Sequence, residues 1–305
     1  MPGLAARRTA ARLLSAVLDA HTPLDALTDH EHGHPQFMAL SMRDRALVRA
    51  ILATALRHRR SSEAMIQARL HSPLPANAST LSHILHVATA QILHLDVPDS
   101  AAVDLAVTHA KSDPRTLRFA ALVNAVLRAI VRAKDEPRPE VDEAPDWFAG
   151  RLRAAYGEQL ARAILQAHRV EAPVDFTVKS DPVRWAETFG GIVLPTGTVR
   201  LRALAGPVAE LPGYSDGAWW VQDAAAALPA RLFGDVSGRR VADLCAAPGG
   251  KTAQLALAGA EVTAVDMSAS RLARLQVNME RLGLKVETVK SDLTAFRPDA
   301  PFDAI

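Results

Sequence analysis

Through the first 133 residues, apolar positions recur every three or four places, the spacing of one buried helix face. Leu13, Leu14, Val17 and Leu18 mark a first helix. Ser41-Met42-Arg43-Asp44 reads as a capping box ahead of Leu47, Ile51 and Leu52. Leu81, Ile84, Leu85, Ala88 and Ile92 share one face of another helix, with Ser79 as its expected cap. Pro98 and Pro114 punctuate the next two helices, and the last, 115–133, carries F-A-A-L-V-N-A-V-L-R. No β-rich stretch intervenes, so the pattern predicts an all-α bundle. The run K-D-E-P-R-P-E-V-D-E-A-P that follows is charged, proline-rich and aperiodic, and it reads as a linker. Trp147 then opens a helix that runs to about His168.

Beyond residue 170 the period shortens. Stretches 174–178, 198–203 and 218–221 look like short strands of a small α+β region. A different rhythm begins at 241–252, V-A-D-L-C-A-A-P-G-G-K-T: an apolar strand, a loop of small residues, then a helix from Lys251. Residues 261–265 form a second strand ending in Asp266. A helix over 268–282 follows, with Leu272, Leu275, Val277 and Met279 among its apolar residues and Gly283 as its stop. A third strand, 285–290, leads to Asp292. Strands alternating with helices predict a parallel α/β sheet. The loop, Asp266 and Asp292 fall at the carboxyl ends of three successive strands, where such sheets hold ligands. Taken singly, either aspartate is equally a turn or capping residue; the ordered set of three is more specific.

The loop is built for close approach. Gly249 and Gly250 remove Cβ atoms from a ligand's path, and the helix start offers free N–H groups. Two nucleotide loops are excluded. Gly250-Lys251-Thr252 matches the end of the phosphate loop G-x-x-x-x-G-K-[ST], but Cys245 stands where its first glycine belongs. The adjacent glycine pair also fails the dinucleotide pattern G-x-G-x-x-G.

Composition adds limits. The 305 residues are 49% hydrophobic and 22% charged, ordinary for about two globular domains. No apolar run approaches the roughly 20 residues of a membrane span. The Arg-rich start, free of acids until Asp19, has the character of a transit peptide, but its apolar spacing favours an amphipathic helix. Cys245 is the only cysteine, so no internal disulfide forms, which fits a reducing cytoplasm. Residues 1–140 carry an excess of +4 and the remainder −2. Arg7, Arg8 and Arg12, and Arg57, Arg59 and Arg60, are clusters that suit phosphates, although a solvated helix face explains them as well. His30, His32 and His34 lie in a Gly/Pro-rich loop rather than on one helix face, so no metal is expected.

Residues 243–251, D-L-C-A-A-P-G-G-K, resemble the cofactor loop of RNA cytosine-5 methyltransferases of the Sun/nucleolar-protein-2 family. Val221-Gln222-Asp223 resembles that family's V-Q-D segment, and Asp292 its third-strand aspartate. Residues 44–60 and 119–128 resemble the helical domain of the antitermination factor NusB, with Asn124 at a position where that domain often has Asn and expected to bond a neighbouring helix end. Together these are similar to bacterial 16S rRNA methyltransferases that carry a NusB-like domain at the N-terminus. The resemblance implies S-adenosyl-L-methionine as cofactor. Cys245, Ala246, Ala247, Pro248, Gly249, Gly250 and Lys251 would hold its methionine end, Asp266 its ribose and Asp292 its adenine edge. It also implies 16S ribosomal RNA as partner, with no DNA, and a cytoplasmic location, and leaves the oligomeric state open. The expected organisation is multidomain: a NusB-like all-α bundle (1–135), a linker (136–146), a small α+β domain (147–222) that helps bind RNA, and a truncated α/β Rossmann-like methyltransferase domain (223–305). Trp185, Trp219 and Trp220 suit base stacking there, but core packing is the stronger reading.

C5 of cytosine is not a nucleophile; a cysteine thiolate adding at C6 makes it one. In the family, the nucleophile and a second, product-release cysteine lie beyond the third strand. This chain reaches Pro301-Phe302-Asp303-Ala304-Ile305, which reads as the start of a fourth strand, and Cys245 belongs to the cofactor loop. The expectation is an rRNA cytosine-C5 methyltransferase by family, with no catalytic residue in this chain and no turnover by it alone. Its first strand is expected to show a bare edge. The competing expectation is a non-catalytic NusB-like RNA-binding or antitermination protein, which leaves the glycine loop without a purpose.

Overall fold

A computed structural model describes residues 3–29, 32–75, 77–137, 141–204 and 206–305. The chain divides into two compact units, Met1–Glu171 and Ala172–Ile305.

The first unit is helical: α1 (Leu4–Leu18), α2 (Leu24–Leu27), α3 (Pro35–Met38), α4 (Met42–Arg57), α5 (Arg59–Gln67), α6 (Ser79–His94), α7 (Asp99–Ser112), α8 (Ala120–Arg132) and α9 (Asp146–Ala167). Helix α6 is its axis. From His83 to Ile92 every residue is buried, as expected of a helix enclosed on all sides. Leu81, Ile84, Leu85, Ala88 and Ile92 pack against Val103 and Ala106 of α7 and Val123, Leu127 and Ile130 of α8. Val87 and Ala90 pack the other way, against Leu13 and Leu14 of α1 and Ile51 and Leu52 of α4. Each fully buried Leu or Ile contributes about 1.5–3 kcal/mol. The two buried histidines of α6 are matched by carboxylates: His83 Nε2 lies 2.8 Å from Asp19 Oδ2, and His86 Nε2 lies 3.0 Å from Glu63 Oε2.

Helix ends follow local chemistry. Ser41 Oγ accepts from the Asp44 N–H at 3.2 Å, closing the expected cap of α4. Ser79 instead lies in the first turn of α6, behind Ala78, which makes no side-chain cap. Helix α8 starts later than 115 because a 3-10 turn, Leu117–Phe119, precedes it. Thr116 Oγ1 pins that turn to Ala110 O at 2.9 Å. Asn124 Oδ1 accepts from Arg128 Nε at 2.9 Å, a bond along its own helix rather than to a neighbour.

Helix α9, expected to open the small α+β domain, groups with the helical unit instead. The segment before it is fastened rather than free, although 138–140 lie outside the described residues. Glu143 Oε2 accepts from the N–H groups of Arg60 at 2.9 Å and Ser61 at 3.2 Å. Arg60 Nη1 donates to Ala144 O at 2.6 Å and Asp146 Oδ1 at 2.7 Å. Gly157, at φ 74° and ψ 169°, breaks α9 into two pieces across a kink.

The second unit contains two sheets. The first is antiparallel, in the order β2-β3-β1-β4, from β1 (Val174–Val178), β2 (Ile192–Val193), β3 (Val199–Leu201) and β4 (Trp219–Val221). Helix α10 (Pro182–Phe189), capped by Asp181 Oδ1, lies between β1 and β2. Phe176, Trp185, Val199 and Trp219 form its core. Trp219 and Trp220 are 0% and 2% exposed and Trp185 is 9% exposed, so all three are packing residues and none is presented for base stacking.

The second sheet is parallel, in the order β5-β6-β7, from β5 (Arg240–Leu244), β6 (Glu261–Asp266) and β7 (Glu287–Lys290). Helices α11 (Leu228–Arg231), α12 (Gly250–Leu257) and α13 (Ala269–Arg281) accompany it. Val241 pairs with Val262, and Val265 with Val289. On the far side of β5, Ala304 bridges Val241 in parallel; Ala242 N donates to Ala304 O at 3.0 Å and Asp303 N to Arg240 O at 2.8 Å. The base of the expected bare edge is therefore covered, while Leu244 at its top is 36% exposed.

Candidate functional site

Strand β5 delivers the chain to the head of the parallel sheet and releases it into a loop of unusual backbone. Cys245 has φ 62°, Gly249 has φ 101°, and the Ala247–Pro248 peptide is cis. Glycine is required at 249 on two counts. Its φ is left-handed, and a Cβ there would lie 2.8 Å from Leu275 Cγ. Beneath the loop, Ala246, Ala247, Leu275, Met279 and Trp220 share one buried cluster.

The polar groups around the loop are mutually engaged. Asp266, at the tip of β6, is 4% exposed. Its Oδ2 accepts from Ala247 N at 3.3 Å and its Oδ1 from Ser268 N at 2.9 Å. Asp292 is exposed, and its Oδ1 accepts from the N–H and hydroxyl of Thr294 at 2.8 and 2.6 Å. Those two bonds hold its carboxyl below the usual carboxylate range. Both aspartates thus serve as turn-formers, and both stand at the carboxyl ends of their strands with lone pairs left over. Lys251 is exposed in the first turn of α12, and the Cys245 side chain is exposed.

Three residues not anticipated from sequence complete the arrangement. Asp243 accepts from Thr252 Oγ1 at 2.6 Å, and burial pushes its carboxyl up. Gln254 and Arg271 tie the loop's surroundings together. Gln222 Nε2 donates to Gln254 Oε1 at 2.5 Å, while Gln222 Oε1 accepts from Thr177 Oγ1 at 2.8 Å and Trp220 Nε1 at 3.0 Å. The V-Q-D segment therefore connects the antiparallel sheet to α12 through Gln254. Asp175 steadies it from β1: its carboxylate pairs with Arg200 by two 2.7 Å bonds and accepts from Ala224 N at 2.9 Å. The only sequence signals for these contacts are a polar residue inside an apolar segment, for Gln222, and a basic residue in a helix's first turn, for Arg271.

In the helical unit the arginine clusters divide. Arg7 is buried and donates to Gly3 O at 3.0 Å, and Arg60 is spent on the linker. Arg8 and Arg12 are exposed. They line a cleft of about 760 Å³ together with Thr80, His109 and Arg115. In the loop proposed against metal binding, His30 lies outside the described residues, and His34 Nδ1 accepts from Gln36 N at 3.2 Å. Among the described residues no helix is long and apolar enough to cross a membrane.

Residues 4–132 match the NusB family, and residues 233–305 match the 16S rRNA methyltransferase RsmB/F family. A ribosomal RNA small subunit methyltransferase B of Xanthomonas campestris pv. campestris is 35% identical over 99% of this chain and 72% of its own length. The chain belongs to this methyltransferase family. The Xylella fastidiosa (strain Temecula1) member is 36% identical, again over 99% of this chain and 72% of its own. A solved structure, PH0851, has the same fold at TM-score 0.66 and 17% identity, covering 96% of this chain and 70% of that one. The chain has a NusB-like helical domain followed by an α/β methyltransferase region, and the loop at Cys245–Lys251 lies inside the matched methyltransferase region.

Proposed function

We propose that the head of the parallel sheet binds S-adenosyl-L-methionine, and that this chain is the donor-binding and RNA-binding part of an enzyme that methylates C5 of a cytosine in 16S ribosomal RNA, in the cytoplasm. The observation that carries the reading is the alignment of the Cys245–Lys251 loop, Asp266 and Asp292 at the carboxyl ends of β5, β6 and β7. The residues fit such a ligand. The missing Cβ atoms of Gly249 and Gly250 face Leu275 and Gln222 rather than a ligand, so the glycines shape the loop by packing; the first turn of α12 offers N–H groups, and the second lone pairs of Asp266 and Asp292 remain to accept hydroxyl and amino donors. Cys245, Ala246, Ala247, Pro248 and Lys251 complete the methionine side of the site.

Bound there, the cofactor supplies a methyl group on a sulfonium. The chain's own work is to hold and orient. Asp266 fixes one end of the ligand at β6, the loop fixes the other at β5, and Asp243 keeps the turn between them rigid through Thr252. The cleft at Arg8, Arg12 and Arg115 offers cationic groups to RNA phosphates. Cys245 is the sole thiol and belongs to the loop, so the thiolate that adds to cytosine C6 is not supplied by residues 1–305. A purely RNA-binding role leaves the site's geometry unexplained.

Calorimetric titration tests the reading. S-adenosylmethionine should bind the wild-type chain, and Asp266→Asn should weaken that binding by tenfold or more, about the value of one charge-assisted bond. ATP should not bind. Full donor affinity in Asp266→Asn would overturn the assignment, and methyl transfer to deproteinised 16S RNA by residues 1–305 would overturn the assignment of the nucleophile elsewhere.

A further inference from the structure

Arg271 sits where a cation is locally unwelcome. It is the third residue of α13 after the Ser268 cap, in a first turn that contains no acidic residue. Helix N-termini carry partial positive charge and favour carboxylates. A basic residue there breaks a local rule, which marks a site constrained by something other than helix stability. Its environment supplies the constraint. Arg271 Nη2 donates to the carbonyl of Ala247, and Nη1 lies 3.7 Å from Asp266 Oδ2. That same Oδ2 accepts the N–H of Ala247. Three residues from three elements therefore form a closed circuit: the tip of β6, the middle of the loop and the start of α13.

The circuit bears on the loop because the loop has few other fasteners. Pro248 has no N–H to give. Ala246 N is held by Val265 O at 3.0 Å and Gly249 N by Ala246 O at 2.8 Å. Ala247, between them, has its donor on Asp266 and its acceptor on Arg271, so both of its backbone groups depend on side chains of the circuit. An exposed ion pair alone would contribute little. Here the carboxylate is 4% exposed, and the carbonyl bond is charge-assisted.

We propose that Arg271 is a positioning residue for the methyl-donor site: by clamping the Ala247 carbonyl against Asp266 it sets the shape of the loop before the donor arrives. The inference rests on the reading that the loop and Asp266 hold S-adenosylmethionine, and it assigns Arg271 no contact with the reacting atoms. A preformed site binds more tightly because less ordering is required on binding.

The test uses the whole chain with Arg271→Ala and Arg271→Lys. Donor affinity by calorimetry should fall about tenfold in Arg271→Ala, the loss of one charge-assisted bond, and recover in part in Arg271→Lys. Tm and affinity for 16S RNA fragments should stay at wild-type values, which separates positioning from a general structural role. Hydrogen exchange of the peptide spanning 245–251, measured without ligand, should speed up in Arg271→Ala. If wild type binds no donor while exchange still accelerates in the variant, the donor reading fails and the clamp stands. If wild type binds donor and Arg271→Ala matches it in affinity and exchange, the clamp is overturned. An equal loss of Tm and RNA affinity in Arg271→Ala would also overturn it, in favour of a structural role.

Discussion

Gly249 combines a left-handed φ with a Cβ position already occupied by Leu275. A side chain there must both adopt an unfavourable backbone and displace a buried leucine. Gly249→Ala should therefore cost about 1–3 kcal/mol, read from urea unfolding of the second unit, and should abolish donor binding by titration. A neutral effect on both would mean that the loop relaxes freely. The sequence singled out Gly249 for a ligand's approach, whereas the structure requires it for a left-handed φ and for packing on Leu275; the placing of Asp266 and Asp292 at strand tips was legible. The partners were not. Nothing in the spacing tells that Asp266 would be sealed to 4% exposure by Ala247 and Ser268, or that Asp243 would be buried against Thr252. The Asp243–Thr252 and Ala247–Asp266 bonds join residues 9 and 19 apart that meet only on folding, while Ser268 closes a local turn on Asp266, and a single sequence carries no marker for these pairings.

At the scale of elements, strong periodicity translated directly into structure. Strand β1 occupies the predicted 174–178, and the predicted apolar face of α6 is wholly buried. Capping chemistry was legible only where the sequence pattern was complete. Ser41 and Asp44 close the start of α4, and Ser41→Ala should remove about 1 kcal/mol of stability by chemical denaturation. Ser79→Ala should change it by much less, since Ser79 makes no cap bond. Weakly patterned elements were missed: the two-residue β2 and the eight-residue α10 lie in a stretch without clear alternation. Val277 was counted with the apolar residues of α13 yet is 66% exposed, because the helix turns only Leu272, Leu275 and Met279 inward. The segment ahead of α9 has the composition of a free linker, but composition reports no specific partner, and Glu143 fastens it to α5.

Acid response is a property of the molecule as a whole, and the helical unit carries its most displaced groups. Burial and the nearby Arg8 push the His109 imidazole down to about 4 from the usual 6.5. The bond from His86 holds the Glu63 carboxyl at about 2, below its usual 4.5. Below pH 6.5 the unfolded chain takes up a proton at His109 that the folded chain refuses until about pH 4, so stability falls as pH is lowered through that window. Glu63 extends the loss from about 4.5 toward 2. Urea midpoints should drop between pH 7 and pH 4, and His109→Gln should flatten the upper part of that slope. An unchanged slope would show that His109 is hydrated in solution.

The order of helical and α/β regions followed from periodicity alone, while the division at residue 171 depended on which segments α9 packs with. Within the second unit, Gln222 has a consequence for anyone who would exchange parts between relatives. One amide side chain engages Thr177 on β1, Trp220 on β4 and Gln254 on α12. A graft that swaps the antiparallel sheet alone would sever that amide from its partner in α12 and leave a buried polar group stranded. The clean seam for a chimera is therefore near residue 171, and the two sheets of the second unit are to be inherited as one piece.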